Sequence, residues 1–524
     1  MAKFRLFGLP TDEISEREQK HRSLAREAAS EGMVLLKNDR ILPLKNRKVA
    51  LYGAGARMTV RGGTGSGDVR ERNSINIEQG LLAAGFIIPN TQWMDRFTLH
   101  YQEEKEEWRQ SVEKKIKGYG PFRTMKMFDI IHTSPLRYPI GHAILADELT
   151  DETDTAIYVV ARQAGESADR RLEKGDYLLA DVEYENIKVL ASHYKIFLLV
   201  INCGSMVDLT CLDEIPNIGA VLFFVQAGME GGNAFADIVT GKITPSGKLV
   251  DTWGKSYADF PSAETYSYLN GNLEDEDYLE GIYVGYRYFD TFGKTPRFEF
   301  GYGLSYTTFT HTVTSIMVEK TKVTIRVAVR NTGGTYAGKE VLQVYLEKPA
   351  GKQDHEKRSL AAFAKTKLLA PGEETDLVIS FDLAEQASYD NRKASWFLEK
   401  GEYGVTIGTS SRENALCAVI VLDEEIATEK TTNICPMKRE FTDLKSEINQ
   451  PAYDEALPRF QVTAGDVTCI THRYEKPGIS INTRVQEVMS QLDDDELISL
   501  CVGAGYGGLS FNYTPGVAGR TSIH

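Results

Sequence analysis

The 524-residue chain has no C-x-x-C pair and no histidine pair at metal-ligand spacing. Its six cysteines, Cys203, Cys211, Cys417, Cys435, Cys469 and Cys501, are scattered, which reads as idle thiols in a reducing compartment and excludes a disulfide framework or zinc finger. Nine dispersed histidines contain no H-E-x-x-H, so no metal is expected. The absence of G-x-S-x-G removes the serine hydrolase elbow. No apolar run reaches the roughly 18 residues that span a bilayer, and the opening "MAKFRLFGLPTDEISEREQ" turns acidic where a secretory peptide would need its apolar stretch. Positive charge is also short: 60 Lys plus Arg against 74 Asp plus Glu give a formal charge of -14, which disfavours nucleic acid or an anionic membrane as partner. The expectation is a soluble, cytoplasmic protein that acts on a neutral ligand without a cofactor.

The first three hundred residues alternate apolar β-rich runs with helical patterns. The runs "KVALYGAGA", "AIYVVAR", "KIFLLVIN" and "AVLFFVQAG" are nearly continuous rather than alternating, as in strands buried on both faces of a parallel sheet. Helices are expected at "SINIEQGLLAAGF", "YENIKVLASHY" and "GGNAFADIVTG", giving a three-layer α/β sandwich over residues 17–308 behind an N-terminal arm, 1–16. The charged run "LHYQEEKEEWRQSVEKKIKG" predicts an exposed helix within an insertion. From residue 312 the period falls to two, in "KVTIRVAVRNTG", "EVLQVYLEKP", "EETDLVISFDL" and "GEYGVTIGTSS". Short alternating segments with turn residues between them predict an all-β sandwich over 312–424. Residues 425–482 show neither period and read as a connector. In the tail, 483–524, Val485, Val488, Met489 and Leu492 repeat at helical spacing, and Asp493 to Glu496 mark the entry to a second helix.

Ligands of open α/β sheets bind outside the carboxyl ends of the strands. That places "ARQAGESADRRLEKGDYLLA", directly behind "TAIYVVA", at a functional edge and makes Glu166 a candidate proton donor beside Asp169 and Arg170. The residues alone leave open a solvated loop in which Glu166 is ordinary surface charge. The Gly-rich stretch "GAGARMTVRGGTGSGDV" lacks both common phosphate-cradle patterns, since Met58 stands where a third glycine belongs. It reads either as a nucleotide loop or as backbone that must approach another element closely. Tyr283, Tyr286, Tyr288 and Phe289, in "EGIYVGYRYFDTFG", could stack on sugar rings or pack between two domains.

Taken together, "EGMVLLKNDRILPL", "GGTGSGDV", "GESADR", "QAGMEGGNAFADIVTGKITPSGKL", "EGIYVGYRYFD" and "FEFGYGLSYTTF" resemble, in order and spacing, the second catalytic domain of glycoside hydrolase family 3. The alternating-strand region resembles the family's fibronectin type III-like domain. The tail is similar to the lead-in of its (β/α)8 barrel, placed last as in the reversed-order members of the family.

The resemblance implies a retaining β-glucosidase-like hydrolase in which a sandwich-domain Glu is the acid/base and a barrel Asp is the nucleophile, about 5 to 5.5 Å apart. Glu166 matches the acid/base position, and Asp169 and Arg170 would brace its loop. Ser66 and Asp68 are the polar candidates for lining the cleft, and "EGGN", Glu230 to Asn233, would start a helix. No nucleophile is matched in this chain. The expectation is therefore the acid/base half of a β-glycosidase, poorly active alone, whose partners are a β-glycoside or oligosaccharide and either a separate barrel chain or self-association through residues 483–502. The competing readings are a non-catalytic carbohydrate-binding or interaction protein and, from the Gly-rich loop only, a nucleotide-binding protein.

Overall fold

A computed structural model describes residues 13–501 apart from 65–68, 70, 121–125, 128–129, 131–133, 135, 137, 165–169, 273, 275, 435–441, 447–451 and 474–481. The chain divides into two compact units, one of residues 16–470 and one made of the two ends, up to Ser15 and from Thr471.

The large unit opens with α1 (Glu16–Gly32), a helix without an apolar stripe in which only Ala29 and Ser30 are buried. Ion pairs hold it instead. Arg22 and Arg26, one turn apart, fork onto Glu230 and Asp237 at N–O distances of 2.6 to 2.8 Å. There follow β1 (Val34–Asn38), β2 (Ala50–Tyr52), α2 (Ile77–Ala83), α3 (Gln92–Ile116), β3 (Thr155–Ala161), α4 (Asp181–His193), β4 (Ile196–Asn202), β5 (Ala220–Phe223), α5 (Gly231–Val239) and α6 (Tyr286–Thr291). The sheet order is β1-β5-β4-β3-β2, parallel from β2 to β5, with β1 antiparallel on the far edge. All seven residues of β3 are buried, which requires cover on both faces and makes the domain three-layered. The core joins these strands to Ile77 and Leu81 of α2, Ile187 and Leu190 of α4, and Phe235 and Ile238 of α5.

The charged run from Leu99 is helical and mostly exposed, as expected, and the helix that carries it, α3, starts earlier, at Gln92. Its first two turns bury Trp93, Met94 and Phe97 in the main core, and only the later part is mostly exposed, with Val112 and Ile116 in a small satellite cluster. The apolar start lies before the charged run that the sequence reading singled out, which begins at Leu99.

The sandwich begins at β6 (Phe309–Glu319) and continues through β7 (Lys322–Asn331), β8 (Val341–Glu347), β9 (Ser359–Lys365), β10 (Glu374–Asp382), β11 (Ser388–Asp390), β12 (Ser395–Leu398), β13 (Gly401–Gly408), β14 (Asn414–Leu422), β15 (Ile426–Lys430) and β16 (Arg459–Gln461). One sheet is ordered β10-β7-β6 and the other β16-β14-β13-β8-β9, while β11, β12 and β15 pair in that order beside them. Val323, Ile325, Val327 and Val329 alternate into the core, as the period of two requires. Among its described residues, the stretch expected as a connector supplies three strands: β15, β16 and a two-residue strand at Ile470–Thr471. β16, only three residues long, adds parallel to β14 and is too short to show a period.

In the second unit, α7 (Thr483–Met489) is capped by Asn482 and α8 (Asp494–Cys501) by a reciprocal pair in which Glu496 N donates to Asp493 Oδ1 and Asp493 N to Glu496 Oε2. Val485, Val488, Met489 and Ile498 are exposed.

Candidate active site

The carboxyl ends of β2 to β5 present four loops that hydrogen-bond to one another. Asn202, the last residue of β4 and fully buried, is the knot: its Oδ1 accepts from Val60 N at 2.6 Å, and its Nδ2 donates to Val60 O and Val225 O at 2.7 and 2.8 Å. One side chain thus ties the loops after β2 and β5 to the end of β4. The loop after β2 is also laced to the one after β3, with Gln163 Nε2 donating to Gly62 O at 2.8 Å and Thr64 N to Ala164 O at 3.0 Å.

β3 delivers the candidate segment. Arg162, the residue after it, is buried and forks onto Glu183 of α4 at 2.8 and 2.6 Å. Burial works against this guanidinium's charge, and the charge and hydrogen bonds of Glu183 overcome it, so its pKa stays above the ordinary value. Glu183 also accepts from Ala180 N at 2.8 Å, fixing the start of α4. On the far side of the segment, Arg170 pairs with Asp176 and donates to Ser205 Oγ at 2.8 Å and Cys203 Sγ at 3.2 Å in the loop after β4. In sequence, residues 165–169 thus fall between two anchored arginines. Glu166 and Asp169 lie within them, outside the described residues, as do Ser66 and Asp68. Of the expected site residues, Arg170 is placed, and its described carboxylate partner is Asp176.

The glycines after β2 have a packing role. At Gly53, with φ of 93°, a Cβ would sit 2.4 Å from Val159 O, and at Gly55 one would meet the Val159 side chain at 2.5 Å. These two glycines let the chain approach β3 closely, which accounts for them without a phosphate. Glu230 precedes α5, holding Arg22 with Oε1 and Asn233 Nδ2 with Oε2 at 2.7 Å. Among the described residues the rim is a braced strand edge, and its Arg162 and Arg170 flank Glu166 and Asp169 in sequence.

Residues 33–306 match the model of the glycosyl hydrolase family 3 C-terminal domain, and residues 340–411 that of a fibronectin type III-like domain. The chain belongs to glycosyl hydrolase family 3. Within this family it is similar to beta-glucosidase A of Butyrivibrio fibrisolvens, 35% identical over 479 residues that cover 81% of this chain and 54% of that protein. A beta-glucosidase of Ruminococcus albus is 32% identical over 523 residues, covering 94% and 51%. Among solved structures, beta-glucosidase 3B from Thermotoga neapolitana in complex with glucose superposes with a TM-score of 0.67 at 35% identity, covering 78% of this chain and 55% of that one. The chain spans about half the length of the curated relatives it matches.

The aromatic cluster of this family 3 chain packs partly between its domains. Tyr283, Tyr286 and Phe289 are buried; Tyr286 packs at a tilt against Phe300 and meets Tyr345 of β8 edge-on, and its hydroxyl accepts from Leu360 N at 2.9 Å. Tyr283 donates to Asp354 at 2.9 Å. Tyr283 and Tyr286 are thus committed to the interface, while Phe289 packs on Phe260 and half-buried Tyr288 on Phe289 and Phe292, within the α/β domain. The sequence reading missed Arg162, Asp176, Glu183 and Asn202. Its available signal was a lone polar residue closing an otherwise apolar strand, as in "VVAR" and "LVIN".

Proposed function

We propose that this chain supplies the acid/base half of a retaining β-glucosidase-type site that cleaves terminal, non-reducing β-D-glycosidic bonds. Glu166 donates its proton to the glycosidic oxygen as the C1–O bond breaks, while a carboxylate from outside the matched domains forms the new bond to C1. In the second step Glu166 takes a proton from the water that releases the sugar. The observation that supports the reading is that Arg162 and Arg170, which flank Glu166 in sequence just after β3, are both anchored at the carboxyl edge of the sheet. The names of the relatives supply the substrate class.

The 524 residues assayed alone are expected to turn over aryl β-glucosides poorly, since acid catalysis contributes only about 10²- to 10⁴-fold and the covalent step needs the second carboxylate. The test supplies a family barrel domain in trans and compares wild type with Glu166→Ala. Restored activity that falls at least about 10²-fold in the variant, and returns with azide as replacement nucleophile, supports the assignment. Restored activity indifferent to Glu166→Ala refutes it. Sugar binding by the isolated chain, with no turnover under any complementation, would favour the carbohydrate-binding reading.

A further inference from the structure

We infer that Asp176 is the positioning residue of the Glu166 segment, fastening the segment's two ends to each other at a single point. This rests on the acid/base reading of Glu166 above. Arg162 and Arg170 flank the segment, eight positions apart, and both converge on Asp176. Arg162 Nε and Arg170 Nη2 donate to the same Asp176 carbonyl, at 2.8 and 2.9 Å. The Asp176 carboxylate takes Arg170 Nε on Oδ1 and the Arg171 backbone N–H on Oδ2, the latter at 2.7 Å.

Two guanidinium groups on one carbonyl repel unless each has its own counter-charge. Glu183 serves Arg162 and the Asp176 carboxylate serves Arg170, so the side chain of Asp176 is what allows its backbone to hold both arms. Arg170 extends the brace to Ser205, and Leu172 N donates to Tyr268 Oη at 3.0 Å, fixing the chain that follows Arg170. A proton donor must stand within hydrogen-bond reach of the leaving oxygen, and a misplacement of about 1 Å costs on the order of 10²-fold. Asp176 touches no reacting atom in this scheme; it sets where the Glu166 carboxyl is presented.

The experiment has two arms. In the first, hydrogen exchange is measured on the 524-residue chain as wild type and Asp176→Ala. Exchange faster by about tenfold or more in peptides covering residues 162–172, with β3 and β4 unchanged, is the expected result. Unchanged exchange, or an increase that also sweeps β3 and β4, overturns the proposal. In the second arm the barrel-complemented chain is assayed as Asp176→Asn with an alkyl β-glucoside and with a dinitrophenyl β-glucoside, whose leaving group needs no proton. We expect kcat/KM to fall at least about tenfold on the alkyl substrate and by less than about threefold on the activated one. Equal losses on both substrates mark a merely structural residue and overturn the proposal. Glu166→Gln, run in parallel, separates the two claims: if it lacks the leaving-group dependence, the acid/base reading falls while the exchange result still decides the clamp.

Discussion

Asn202 carries three buried hydrogen bonds to two loops, so its loss strands one donor and two acceptors at the strand edge. Each unsatisfied buried group costs about 1 to 3 kcal/mol. Asn202→Ala should therefore destabilise the large unit by roughly 3 to 5 kcal/mol after partial relaxation, read as a shift of the urea midpoint. His142 makes a different prediction. Burial holds its imidazole pKa down to about 4, with Arg96 acting in the same direction and Glu148 opposing. Its Nε2 has no hydrogen-bond partner among the described residues, and the ring lies 4.8 Å from that of Trp93. The unfolded chain takes up this proton near pH 6.5 and the folded one only near 4, so stability is full above pH 6.5 and declines as pH falls towards 4. Discounted for the part of the ring open to solvent, the loss is about 1 to 2 kcal/mol. His142→Gln should flatten the profile of stability against pH over that window. An unchanged slope would assign the pH dependence to other groups.

At the scale of elements, α2 and α5 cross with their backbones in contact. A Cβ on Gly80 would stand 2.0 Å from Gly232 O, and one on Gly232 would stand 1.9 Å from Asn76 O. Neither clash can be relieved by rotating a side chain, so the helices must separate. Gly80→Ala and Gly232→Ala should each cost about 3 kcal/mol or more, at the upper end for overpacking, measured by chemical denaturation. If both variants retain wild-type midpoints, the helices do not cross this closely. The elements were unequally legible in the sequence. β3 and β4 declare themselves as unbroken apolar runs because both faces are covered, and β7 by strict alternation because one face is open. α1 was hidden because charge pairs rather than an apolar stripe hold it, and β1 because "VLLKN" is short and its partner β5 lies almost two hundred residues away. The candidate site was legible only in part. "GESADR" drew attention to Glu166 through its company of motifs, but the clamp on the residues flanking it depends on where the chain brings Arg162, Asp176 and Glu183 together, which no local pattern records.

At the scale of the whole large unit, the question is what makes the α/β domain and the β-sandwich behave as one body. Two kinds of contact join them. Charged contacts include Glu31 of α1 against Lys339 and Lys365, Lys248 against Glu340 at 3.1 Å, and Asp290 against Arg412 at 2.8 Å. Partial burial raises the Glu31 pKa and the two lysines more than offset it, leaving the carboxyl below its ordinary value. A depressed carboxylate stabilises above its unfolded pKa, and that contribution is lost as pH falls through the folded one. Glu31→Gln should therefore matter at neutral pH and cease to matter in acid. The lysines are partly open to water, so the neutral-pH effect should be only about 1 to 2 °C in midpoint. The apolar contact is stronger. Tyr286 is buried between Phe300 and Tyr345, with ring centroids at 4.8 and 5.9 Å, and truncating such a ring costs about 3 to 5 kcal/mol. Wild type should accordingly melt in one calorimetric transition and Glu31→Gln in one slightly earlier transition, whereas Tyr286→Ala should split the trace into two, one for each domain. A single transition in Tyr286→Ala, merely displaced to lower temperature, would place the coupling in the backbone bonds of the interface, such as Ser411 N to Phe300 O, rather than in its aromatic centre.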